Sequence, residues 1–85
     1  MDLNDLRNEI DMIDKEIMSL LNKRFDIVEK VKVYKKINHL EVLDTSRENK
    51  IYDKIEQLDS KYESNIKEIY SCIMDQSKNN QRKDD

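Results

Sequence analysis

The sequence predicts an all-α fold of three helices led by one long N-terminal helix. Three observations carry that prediction. The 85 residues include no Gly and no Pro, so little suits the tight φ > 0 turns and rigid loops of hairpin-rich folds. Apolar residues recur at Leu6, Ile10, Ile13, Ile17 and Leu20, then at Ile27, Val31 and Tyr34. Their steps of four and three average 3.5, the period of a seam between helices. Finally, 41% of the residues are charged against 36% hydrophobic, a balance that leads to disorder unless the apolar residues are spaced to share a face. Here they are.

Asn4 is a plausible N-cap for the first helix, although residues 1–5 offer several starting points. Running to Lys36, the helix is about 50 Å long. A globule of this size has a radius of gyration of only about 12 Å. The helix therefore overhangs a compact monomer and leaves part of its stripe bare, and a second copy is the economical cover. Residues 38–43 break the pattern and form a connector holding His39. Asp44, Thr45 and Ser46 supply N-cap candidates for a second helix, with Thr45 and Glu48 spaced as a capping box. Ile51, Ile55 and Leu58 are expected to face inward. Asp59-Ser60-Lys61 is the next turn, with Ser60 and Glu63 as another capping box. A third helix carries Tyr62, Ile66, Ile69 and Ile73 inward, followed by Ser77 and Gln81 at four-residue steps, with Cys72 as a small core residue. Residues 79–85 are wholly polar and should fray, with Gln81 in the last turn. The chain thus reads as one domain over 1–81 and a polar tail over 82–85, which would look the same as a natural end or as the start of a linker.

The net charge of −3 gives no electrostatic bias toward nucleic acid or anionic membrane. Any anion must be captured by locally arranged cations. One Cys cannot form an intrachain disulfide, and nothing resembles a signal peptide or a spanning segment, so a cytoplasmic location is the default. One His and one Cys make no metal ligand set.

Several charges stand where the pattern asks for something else. Arg24 occupies the seam position between Leu20 and Ile27, and its neighbours at three and four residues are Leu20, Leu21, Ile27 and Val28. No carboxylate is in helical reach, so either the guanidinium snorkels to water or it faces a cavity where an anionic guest neutralises it. Lys35 follows three turns on, about 16 Å away and about 20° round the helix, with Val28 and Val31 between as an apolar floor. It is an ordinary solvated lysine or the second cation of that cavity. Arg7 lies about 25 Å from Arg24 and about 100° round. Within one chain it pairs with Asp11 on the surface; across an antiparallel helix pair it reaches the other chain's Arg24 region. Asp44, Arg47 and Glu48 set a cation and anions beside free backbone N–H groups, as caps or as part of a site. Ser77 and Gln81 are neutral hydrogen-bonding groups on the third helix's stripe, or simply the stripe running out into solvent.

As a set, these residues resemble the all-helical (type II) chorismate mutase family. The resemblance rests on the opening run from Leu6 to Asp14, on Leu20-Leu21-Asn22-Lys23-Arg24-Phe25, on Lys35, on Asp44-x-x-Arg47-Glu48 and on Ser77-x-x-x-Gln81. It covers residues ~3–81, with only the turn between the second and third helices short. No motif is specific alone; their order and spacing across three helices are.

The resemblance implies an intertwined homodimer with two sites, each completed by the partner's long helix, that rearranges chorismate to prephenate without metal or cofactor. It implies that Arg24 and Arg7 from across the interface hold the two carboxylates, and that Lys35 and Gln81 donate to the ether oxygen of the breaking bond. Glu48 would accept from the ring hydroxyl, aided by the Asp44 backbone, while Arg47 and Ser77 complete the polar wall. Two other readings stand beside it. A related isochorismate–pyruvate lyase shares many of the cations. A non-catalytic helical dimerisation module would leave Arg24 and Lys35 merely snorkelling.

Overall fold

The computed structural model describes residues 1–84 as three helices: α1 (Leu3–Ile37), α2 (Thr45–Gln57) and α3 (Glu63–Arg82). Position 85, the last of the expected polar tail, lies outside the described residues. The α1 helix starts earlier than the expected Asn4 cap. Asp2, in extended geometry, accepts from the Asp5 N–H at 2.9 Å, and the Asp5 carboxylate accepts from the Asp2 N–H at 3.3 Å. This reciprocal pair satisfies two otherwise orphaned donors and sets a carboxylate in the positive first turn.

The absence of glycine does not prevent left-handed backbone; other residues supply it. His39 (φ 56°) and Asp59 (φ 50°) follow α1 and α2, and Asp and His are among the non-glycine residues that best tolerate this region. After α1, the Leu40 N–H reaches the Lys35 carbonyl at 2.8 Å and the His39 N–H reaches Lys36 at 3.4 Å. That is the Schellman arrangement, which stops the helix and turns the chain back. His39 therefore has a definite role at the end of α1.

The α2 cap is Asp44, whose Oδ1 accepts from the Arg47 N–H at 2.9 Å. The expected box between Thr45 and Glu48 is not used, because Asp44 takes the cap one residue earlier and Glu48 pairs across to α3. The box between Ser60 and Glu63 is also not formed. Ser60 Oγ accepts from the Tyr62 N–H at 3.0 Å, while the Glu63 N–H bonds the Ser60 carbonyl. No side chain caps α3, and the helix persists to Arg82, beyond the expected fraying point at 79.

α3 packs against both α1 and α2, while α1 and α2 make no close backbone approach to each other among the described residues. The core is thin: Ile51 and Ile55 of α2 meet Met74 of α3, flanked by Tyr52, Ile66 and Tyr70. Val28 is the buried residue of α1. Four expectations for the core are corrected here. Leu58 (65% exposed), Ile69 (58% exposed) and Tyr62 are exposed rather than core residues. The buried face of α3 instead runs through Ile66, Tyr70, Met74 and Ser77, because α2 and α1 approach it from that side. Cys72 is exposed rather than a core residue.

The long helix overhangs as its length requires. The radius of gyration is 16.0 Å and the extents are 54 × 29 × 14 Å, well beyond the roughly 12 Å of a compact chain of this size. Leu6, Ile10, Ile13, Ile17 and Leu20 all stand exposed along the overhang. Among the described residues no helix is long and apolar enough to cross a membrane.

Candidate functional site

Where α3 crosses the second half of α1, the start of α2 closes a cavity of about 320 Å³, at the small end of the range for small-molecule pockets. Its floor is apolar, with Val28 and Val31 from α1 and Ile51 and Met74 opposite. Its polar walls come from all three helices.

Arg24 enters from α1. Its Nη1 donates to Ser77 Oγ at 2.7 Å, and that hydroxyl donates onward to the Ile73 carbonyl at 2.8 Å. Ser77, 6% exposed, is the buried polar residue among the described residues. The guanidinium is thus held by a neutral group, and no carboxylate among the described residues forms an ion pair with it. One hydroxyl fixes a single N–H of five, so the remaining donors and the full charge stay available. Arg47, one turn into α2, also lines the cavity and also lacks an ion-pair partner among the described residues. Two guanidiniums that no described carboxylate engages in an ion pair, around an apolar floor, suit an anion with an apolar body.

The start of α2 places the rest. The Asp44 cap holds the first turn, which sets Arg47 and Glu48 on the wall. Glu48 Oε2 pairs with Lys78 Nζ of α3 at 3.0 Å. Gln81, one turn on from Ser77, lines the same cavity, and its buried Oε1 has no hydrogen-bond partner. A buried amide oxygen left in this state is costly unless something donates to it.

Of the eight residues singled out in the sequence, six therefore meet: Arg24, Asp44, Arg47, Glu48, Ser77 and Gln81. Lys35 does not line this cavity. Its Nζ donates to the Val42 carbonyl in the connector at 2.8 Å. It borders a second hollow of about 220 Å³ that shares Val42 and Gln81 with the first, so Lys35 and Gln81 are neighbours across the connector. Arg7 stands exposed on the overhang of α1 and makes no ion pair with Asp11 or any other described residue. Its surface pairing is not formed in the structure.

Lys78 is a further charged wall residue that the sequence analysis did not single out. It contacts Asp75, three residues before it, at 3.5 Å. Its shorter partner, Glu48, is thirty residues away on another helix, where no spacing rule reaches. The hydrogen bond to Glu48 raises the Lys78 pKa above the ordinary lysine value, against the lowering from desolvation, so the ammonium is charged at neutral pH.

A bifunctional chorismate mutase/prephenate dehydratase from Aquifex aeolicus (strain VF5) is 35% identical over 75 residues, covering 88% of this chain. The chain spans only 19% of that relative's length. No solved structure matches the chain significantly. Residues 6–82, nearly the whole sequence, match the family described as chorismate mutase type II, and the chain belongs to that family.

Proposed function

We propose that this chain is a chorismate mutase that rearranges chorismate to prephenate. The observation that carries the reading is the pair of guanidiniums, Arg24 and Arg47, facing one apolar-floored cavity without carboxylate partners. Chorismate is a dianion with an apolar ring, which suits such a site. The rearrangement is unimolecular: one C–O bond breaks while one C–C bond forms, and no nucleophile is required. The enzyme's task is to hold the enolpyruvyl arm over the ring and to stabilise charge developing on the ether oxygen.

In this reading Arg24 and Arg47 bind carboxylate, Glu48 accepts from the ring hydroxyl, and Ser77 fixes the Arg24 fork. Gln81 and Lys35 donate to the ether oxygen, Lys35 after turning from the Val42 carbonyl. Their adjacency across the connector supports that pairing. Because Gln81 is uncharged, its donor capacity does not depend on pH. A cytoplasmic location belongs to the same proposal, on the single unpaired Cys72.

The working form is a homodimer in which the bare apolar stripe from Leu6 to Leu20 lies against a second copy. Burying each such side chain contributes about 1.5–3 kcal/mol, against a monomer whose own core is a few residues. The partner's α1 then carries its Arg7 toward the cavity, as the free guanidinium on the overhang suggests.

The test uses two variants, Arg7→Ala and Arg24→Ala, each expected to lose about 10²–10³-fold in kcat as for other preorganised donors. Refolded together, they should form mixed dimers with one intact and one doubly damaged site, and activity should return. No recovery despite demonstrated subunit exchange would rule out the shared site. Loss of chorismate without loss of isochorismate in the wild type separates this reaction from the lyase.

A further inference from the structure

The reading above leaves one charged wall residue without a task. Lys78 lines the cavity beside Glu48, at 19% side-chain exposure against 24% for its partner, and the two bridge α3 to α2 at 3.0 Å. Its other contact, to Asp75 on the solvent side, is longer at 3.5 Å, and that carboxylate is 65% exposed. Surface lysine pairs with both ends in water contribute little; this one is mostly enclosed and joins two helices at the site.

Glu48 poses an electrostatic difficulty. A carboxylate in a cavity for a dianion repels the guest, and the repulsion grows as water is displaced. It also has two oxygens, of which a single ring hydroxyl uses one.

We infer that Lys78 is a positioning residue for Glu48, neutralising its charge toward the dianion and engaging Oε2 so that Oε1 is presented to the substrate's hydroxyl. The inference rests on the proposed binding of chorismate in this cavity. It assigns Lys78 no contact with the reacting atoms. Its effect should fall on substrate and product affinity and should pass entirely through Glu48.

Lys78→Met, Lys78→Arg, Glu48→Gln and the double variant Glu48→Gln/Lys78→Met distinguish the possibilities. The readouts are kcat and KM for chorismate and Kd for prephenate by titration calorimetry, with circular-dichroism melts to confirm folding. Lys78→Met should raise KM and Kd about tenfold, as expected for one uncompensated charge in a half-buried site, with kcat within about threefold. Lys78→Arg should restore most of the loss, and adding Lys78→Met to Glu48→Gln should change Kd less than about twofold, because the coupling partner is gone. Unchanged KM and Kd in Lys78→Met would overturn the inference. Losses that multiply in the double variant would overturn it too, making Lys78 a direct ligand of the substrate. If Lys78→Met fails to fold, Lys78→Gln, which keeps a donor without the charge, answers the same question. A wild-type protein inert toward chorismate would instead sink the parent reading.

Discussion

The two halves of α1 share one helix and one apolar period, yet they meet different surroundings. From Leu6 to Leu20 the stripe is unbroken and exposed. From Arg24 onward the stripe is interrupted by cations, and here α3 and the start of α2 close over it to make a cavity. On the proposed function, regularity marks the half that lies against a second copy, and irregularity marks the half that holds the substrate. An interruption in a hydrophobic period is thus a stronger pointer to function than any residue type by itself.

The largest effect is expected from breaking the regular half. Ile13→Asp with Ile17→Asp sets two carboxylates on the bare stripe, at positions that do not line the cavity between the three helices. Sedimentation should show a shift to monomer, and activity should fall by more than about tenfold through loss of the dimer, since burying an unpaired charge costs several kcal/mol. A variant that stays fully dimeric and active would put the interface elsewhere.

The helices that close over the irregular half are joined to each other partly by charge, and pH probes that joint. Lys78 with Glu48 and Lys67 with Glu56 join α2 to α3 at 3.0 and 2.8 Å. Both lysines have pKa values raised chiefly by those hydrogen bonds. A group whose folded pKa lies above its unfolded value contributes stability fully below the ordinary lysine value, and that contribution is lost as pH rises through the folded one. Melting temperature should therefore decline on the alkaline side, and Lys67→Met should flatten part of that decline. A Lys67→Met profile parallel to the wild type throughout would show that this pair contributes nothing.

The smallest effect lies at the end of α1. His39 holds φ at 56°, which costs a residue with a Cβ something that glycine avoids. His39→Gly should stabilise the fold by about 0.5–1 kcal/mol, partly offset by greater freedom of the unfolded chain. Chemical denaturation measures it, and a destabilised variant would mean that the imidazole makes a contact of its own.

Much of this was legible in the sequence, for physical reasons that can be located. The three helices follow from period and caps, and Arg24 stood out because nothing on its own helix balances it. The face of α3 was misplaced because Ile69 and Tyr62 continue a four-three pattern as well as Tyr70 and Met74 do. Two overlapping stripes on one helix cannot be ranked without knowing where α1 and α2 approach. Asp2 escaped as a cap because its box uses Asp5, a shorter partner than the usual Glu or Gln. Lys35 satisfies the phase that placed it beside Arg24, but the connector carbonyl of Val42 competes for its ammonium. Lys78 was out of reach, since its role depends on a contact between helices that local spacing does not encode.

On the proposed binding of chorismate, the tether between Arg24 and Ser77 has a consequence for how the anion arrives. An arginine clasped by an acid must surrender that acid before accepting another, so entry carries the barrier of breaking an internal ion pair. An alcohol aims the fork without competing for it. The incoming carboxylate then displaces only solvent, and the rate of capture is set by encounter and by the salt that screens it.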